Sequence, residues 1–283
     1  MKKFAQWCGK LFLSLVLVLA LALSAWAGAL TYYCEGKILD HTLKTAAYTP
    51  PATVYLGLST ADPTQAGTGW VDPTYTGYGR KAITFAAASA RSIAQSGAVT
   101  FDQCTGGSST VGWYWVWDAP TGGNLLAEGA LAAPKNIVAG NTPSVASGQV
   151  TISFNAGAIF TSYANTVLDW VFRNQTNAQP TNIQLALSTT DPADDGTGIT
   201  EPIGYNYSRL TFNTWNAASG TPRLADNNGA ATWPTPSGPW GNCKQVVVYG
   251  DANPRFYGTF TAQDIGSGDP VQYLTGDLDI IIN

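Results

Sequence analysis

Leu56-Gly57-Leu58-Ser59-Thr60-Ala61-Asp62-Pro63 returns later in the chain as Leu185-Ala186-Leu187-Ser188-Thr189-Thr190-Asp191-Pro192. The frame extends outward from these blocks. Gly67-Thr68-Gly69 matches Gly196-Thr197-Gly198, Pro73 matches Pro202, and Leu39-Asp40 matches Leu168-Asp169, all at an offset of 129. Near the ends, Ser147–Ile152 answers Thr275–Ile280 at an offset of 128. A period this long is a whole small domain duplicated in tandem, not a solenoid unit. The expected division is an apolar N-terminal segment over 1–27, a first repeat over 28–161 and a second over 162–283.

Within each block the residues alternate. Val54, Leu56 and Leu58 share one face of a strand, and Ile183, Leu185 and Leu187 share it in the second copy. Further strands are expected at 83–85, 99–101, 112–117, 125–130 and 150–154. In the second copy they are expected at 209–212, 231–233, 245–249, 256–260 and 278–282. Each copy opens on a helical stripe: Ile38, Leu39 and Leu43 within 37–47, then Val167, Leu168, Val171 and Phe172. Pro50-Pro51 and Pro180 are the expected stops, and the second helix is the expected rigid joint. The fold class is all-β: two tandem antiparallel β-sandwich domains, each with a short accessory α-helix, behind an apolar N-terminal helix.

Charged residues are only 11% of the 283, which suits turn-rich β-structure, and the net charge of −4 offers no basic footprint for nucleic acid. Lys2 and Lys3 precede the charge-free run Leu11–Leu23, and Ala25-Trp26-Ala27 places small residues where a signal peptidase cuts. That is the layout of a secretory signal peptide. If retained, residues 11–30 are the chain's one means of entering a membrane. Of four cysteines, Cys8 would leave with the signal. Cys104 and Cys243 fall in comparable stretches of the two copies, which makes them a candidate disulfide, with Cys34 or another molecule as alternative partners. No pair has zinc-ligand spacing.

Two motifs carry a functional reading beside a structural one. The Ser-Thr-x-Asp-Pro corner reads first as a turn. Asp191, Asp194, Asp195 and Glu201 form a candidate calcium loop, weakened because Gln65 and Ala66 replace two of the carboxylates in the first copy. Trp113, Trp115 and Trp117 lie on one face of a strand. Exposed, they are a stacking platform for glycans; buried, they are core. Aligning them with Val246, Val248 and Gly250 favours core. The single histidine, His41, reads as a structural residue, and no nucleophile motif or metal-protease motif is present. No catalytic residue, metal or cofactor is assigned.

Tyr48–Pro63, Tyr78-Gly79-Arg80-Lys81-Ala82-Ile83-Thr84-Phe85, the hairpin Trp117–Leu126 and Gly129–Lys135 together resemble the phage tail-fibre family of virion proteins. The first copy carries the resemblance strongly, over about 120 residues; the second carries it weakly and lacks the hairpin's Gly-Gly-Asn-Leu-Leu. The resemblance implies a non-enzymatic structural subunit of a tail, neck or surface fibre, in a virion or extracellular filament. It implies self-association and contact with other subunits, with no catalytic residues. The alternative is a secreted carbohydrate-binding adhesin that meets cell-surface glycans.

Overall fold

The computed structural model describes residues 18–20, 28–155 and 158–282. The first half runs β1 (Val18–Ala20), β2 (Ala29–Leu30), α1 (Tyr32–Thr42), β3 (Val54–Ser59), β4 (Lys81–Ile83), β5 (Ser92–Ala94), β6 (Val99–Thr100), β7 (Ser108–Trp117), β8 (Leu125–Val138), β9 (Thr142–Val145) and β10 (Thr151–Ser153). The second runs α2 (Thr161–Arg173), β11 (Ile183–Ser188), β12 (Leu210–Thr211), β13 (Leu224–Asp226), β14 (Ala231–Thr232), β15 (Gly241–Gly250), β16 (Asn253–Ile265), β17 (Gln272–Tyr273) and β18 (Asp279–Ile281). The apolar N-terminal helix and the signal peptide lie outside the described residues. Only β1 is described there, paired in parallel with β9.

The two halves share one topology. The first builds the antiparallel sheet β2-β8-β7-β3-β4, the second β16-β15-β11-β12, with an Ile159–Phe256 bridge standing where β2 stands in the first. The small ladders repeat too: β5 pairs β10 as β13 pairs β18, and β6 pairs β9 as β14 pairs β17. The chain is therefore mostly antiparallel β-structure in two like parts. The alternation in β3 and β11 places Leu56, Leu58, Leu185 and Leu187 in one continuous core, each at most 1% exposed. Fully burying such a side chain contributes about 1.5–3 kcal/mol. Strands β5, β9, β13 and β17 are not among the expected ones, and β8 and β16 run well past the expected ends at 130 and 260.

The helices begin and end on local signals rather than on the prolines. Thr31 caps α1 by accepting a hydrogen bond from the Cys34 amide, so the helix starts five residues before the expected Lys37. It closes at Leu43, followed by Lys44 at φ 66°; α2 closes at Asn174 in the left-handed region, φ 52°. Pro50 and Pro180 come after the chain has already left each helix.

The helices also decide how the halves meet. Each packs across the molecule: α1 against β13 of the second half, α2 against β5 of the first. The contacts are reciprocal. Asp40 Oδ1 accepts from the Ala218 amide at 2.8 Å, and Asp169 Oδ1, its repeat partner, accepts from the Ala88 amide at 2.9 Å. Arg223 Nε donates to the Tyr32 carbonyl at 3.1 Å; its counterpart Arg91 donates to the Thr161 hydroxyl, also at 3.1 Å. His41 and Trp170, equivalent positions of the two copies, stack on each other with ring centroids 4.4 Å apart. When residue i meets j while the copy of j meets the copy of i, the contact is isologous. The chain is thus a covalent pseudo-dimer with a local two-fold through the His41–Trp170 pair.

Candidate functional site

The register of the tryptophan strand determines what its side chains can do. On β3, Tyr55, Gly57 and Ser59 face Trp117, Trp115 and Trp113; on β11, Gln184, Ala186 and Ser188 face Tyr249, Val247 and Gln245. The true counterparts of the three tryptophans are therefore Gln245, Val247 and Tyr249, not Val246, Val248 and Gly250. A slip of one residue exchanges the two faces of a strand. The counterparts of Val246 and Val248 are Tyr114 and Val116, and these four enter the main core. Trp115 and Trp117 lie on the opposite face of the sheet. They are nevertheless only 0% and 4% exposed, in a satellite cluster with Leu125, while Trp113 is half-buried. The aromatic that covers them is Trp70, set edge-to-face on Trp115 at 5.4 Å and on Trp117 at 5.3 Å. The indole cluster is Trp70, Trp115 and Trp117, so the strand makes no flat exposed platform. Room for it depends on Gly57, where a Cβ would overlap the Trp115 ring.

Beside this cluster opens a cavity of about 550 Å³. Its floor is Trp117, its rim includes Trp70 at 38% exposure, and Thr31 and Tyr33 bring the start of α1 to its wall. Arg80 lies over the Trp117 ring, 3.6 Å from its centroid, and its Nη1 donates to the Ala119 and Gly122 carbonyls at 3.1 and 2.7 Å. Those carbonyls belong to the β7–β8 hairpin, which Asp118 and Asn124 lace together and which turns through Gly122 and Gly123 at positive φ. Arg80 thus serves the hairpin and leaves Asp72 without a full partner. Asp72 Oδ1 is buried and bonded to no protein group, as is the Trp117 Nε1 donor. Burial raises the Asp72 carboxyl above its ordinary range, against the opposing pulls of Arg80 and of a hydrogen bond from Tyr78, the counterpart of Tyr207.

The second half has the same parts in a closed arrangement. Glu201 replaces Asp72, and Arg209 replaces Arg80; their ion pair measures 2.7 Å, and the Tyr207 hydroxyl donates to the same carboxylate. Arg209 still covers the ring below it, now Tyr249, at 3.7 Å. Phe160 occupies the position of Thr31, fully buried against Tyr257 with ring centroids 4.6 Å apart, and Ile199 replaces Trp70. The hairpin from Tyr249 to Pro254 is three residues shorter than that from Trp117 to Leu125.

The other singled-out residues have separate duties. Ser59 Oγ accepts from the Ala61 and Val71 amides and donates to the Ala61 carbonyl; Ser188 repeats this with Thr190 and Thr200. The shared corner is a hydrogen-bonded strand end. The calcium-loop carboxylates do not converge: Asp191 meets Gln245, Asp194 meets Arg91 and Thr161, Asp195 meets Thr197, and Glu201 meets Arg209. His41 accepts from the Tyr48 amide and donates to the Asn177 carbonyl, and burial lowers its pKa. Cys104 and Cys243 are not joined. Each is a free thiol buried in its own half, as Cys34 is in α1.

Trp70, Asp72 and Arg80 were the site residues the strand pattern did not single out. The signal was in the repeat itself: Asp72, Tyr78 and Arg80 return at the same offset as Glu201, Tyr207 and Arg209. A family model described as podophage GP4 fiber I protein gp80 matches the chain twice, over residues 29–153 and 158–281. No curated protein matches it.

Proposed function

The chain belongs to the podophage GP4 fiber I protein family, and on that premise we propose that it is a non-enzymatic structural subunit of a virion fibre, joined to copies of itself and to other virion subunits. Each half is read as a sandwich module whose helix is committed to the seam, so contacts between chains fall to the sheet edges. The observation that supports this is the free side of β16. Past the Ile159–Phe256 bridge, no described strand pairs its outer edge, and Thr261 to Asp264 are exposed. In β8 the equivalent edge carries Pro134 and Lys135, residues that blunt pairing. By register these become Ala262 and Gln263 in β16. An open edge of this kind accepts a strand from another subunit.

The test is the sedimentation of the full chain. We expect a multimer, and we expect Ala262→Pro with Gln263→Lys, which transplant the blunted edge, to lower its association by about tenfold or more without unfolding it. A monomer at all concentrations, or a multimer indifferent to both changes, would overturn this assignment of the edge.

A further inference from the structure

We propose that the cavity on the outer face of the first half binds a neutral saccharide unit. This stands on the cavity's own chemistry and holds whether or not the chain is a fibre subunit. Three observations converge on it.

The first is the wall. Trp70 is the exposed member of the indole cluster, and two edge-to-face contacts hold it rigid. A fixed indole beside a cavity of about 550 Å³ suits a ligand with a flat C–H face, and the volume is in the usual range of small-molecule clefts.

The second is the pair of unpartnered polar groups. Asp72 Oδ1 is a buried acceptor and Trp117 Nε1 a buried donor; both residues line the same cavity and neither atom has a protein partner. A hydroxyl donates one hydrogen bond and accepts others, so a vicinal diol serves both kinds of group at once. An aliphatic or purely aromatic ligand would leave both atoms unpaired.

The third is charge. The cavity holds one guanidinium and one carboxylate, Arg80 and Asp72. The guanidinium is already bound on one face by Trp117 and on Nη1 by two carbonyls. With its own counter-charge beside it, Arg80 is no free anchor for a phosphate or a uronate, and Asp72 none for an amine. The preference is for an uncharged polyol.

The closed counterpart shows that the space is not an unavoidable product of the module. With Phe160 for Thr31, Ile199 for Trp70 and the shorter hairpin, the same framework fills the position and pairs its carboxylate with Arg209. The first half differs in these three places: the small Thr31 and the longer hairpin leave the cavity open, Trp70 forms its wall, and Asp72 Oδ1 stays unpartnered.

Saturation-transfer difference NMR on the full chain tests this with methyl glycosides of glucose, galactose, mannose, rhamnose and N-acetylglucosamine, and with methyl glucuronide as the charged comparator. At least one neutral glycoside should bind, with its ring C–H protons most strongly saturated. Titration calorimetry on that glycoside should then show a loss of about tenfold or more for Trp70→Ala and a smaller loss for Asp72→Asn. Ile203→Ala, on the exposed surface of the second half, should leave the affinity unchanged. Because Trp70→Ala uncovers Trp115 and Trp117, its fold is checked by circular dichroism and thermal unfolding, and Asp72→Asn repeats the test with little change of shape. The proposal is overturned if no neutral glycoside binds, if only the glucuronide does, or if Trp70→Ala and Asp72→Asn both bind as the unmodified chain does.

Discussion

The two halves are one backbone carrying two different outer faces. Strand for strand they agree, and even the arginine stacked on an aromatic ring recurs, Arg80 on Trp117 and Arg209 on Tyr249. They part where a large indole is opposed to the smallest residue. Trp115 faces Gly57 in the first half, and Val247 faces Ala186 in the second. The cross-strand pair keeps a similar space filled with its volume redistributed. The core face changes as well, with Tyr114 standing where Val246 stands, but both side chains stay inside the shared core. Duplication here preserved the buried scaffold and let the outward face diverge.

That comparison breaks most sharply at Gly57. Its replacement by Ala forces a methyl group into the Trp115 ring, and overpacking of this kind costs about 3 kcal/mol. Adding Trp115→Val should recover most of the loss, since the pair then matches Ala186 and Val247. Urea unfolding of the single and double variants measures both steps. No recovery would mean that the two outer faces are not interchangeable solutions.

The next effect lies at the seam, which is symmetric in its contacts but not in its charges. Glu35 is fully buried in α1, both carboxylate oxygens lack a protein partner, and its counterpart in α2 is Ala164. Burial raises the Glu35 carboxyl to about 7, against an opposing pull from Arg223. A carboxyl held above its unfolded value binds more protons in the folded chain. Stability therefore falls as pH rises from about 4.5 to about 7 and levels off above, a loss of about 3 kcal/mol. Thermal unfolding across this range should show the decline, and Glu35→Gln should flatten it. A profile unaffected by the substitution would remove Glu35 from the account.

The smallest expected effect tests the pseudo-two-fold itself. Asp40→Ala and Asp169→Ala each strip one acceptor from an amide across the seam, Ala218 in one case and Ala88 in the other. Each should cost about 1–2 kcal/mol, and the two should match closely. Each aspartate also makes one local contact, Asp169 with Arg173 within α2 and Asp40 with the Thr45 hydroxyl just past α1, both at 2.8 Å, so the two losses stay comparable. A large disparity in denaturant unfolding would mean that the seam is not isologous in energy.

The repeat, the phase of the leading strands and the presence of one helix per copy were legible because each rests on a local pattern: a fixed offset, a period of two, an apolar stripe. The register of the tryptophan strand was not. Its offset to the second copy is 132, as it is for β5 and β6, while β3 and β4 before them and the start of β8 after the hairpin keep 129, a compensated length change hidden in loops. Aligning across it by one residue exchanged the two faces and placed Trp113, Trp115 and Trp117 opposite the wrong partners. Trp70 lay in a loop, where no periodicity marks a side chain as covering a strand.

By itself the sequence determined that one β-module was copied and that both copies bury the same alternating positions, because burial along a strand is written in residues two apart. Only the tertiary structure decided which face of that strand is core, that each helix crosses to the opposite half, and that one outer face is open while the other is closed. Those outcomes depend on contacts between residues far apart in the chain, such as Arg91 with Thr161 and Arg80 with Gly122. A carboxylate's freedom depends on where a neighbouring arginine spends its hydrogen bonds, and that choice is made only once the hairpin has folded beside it.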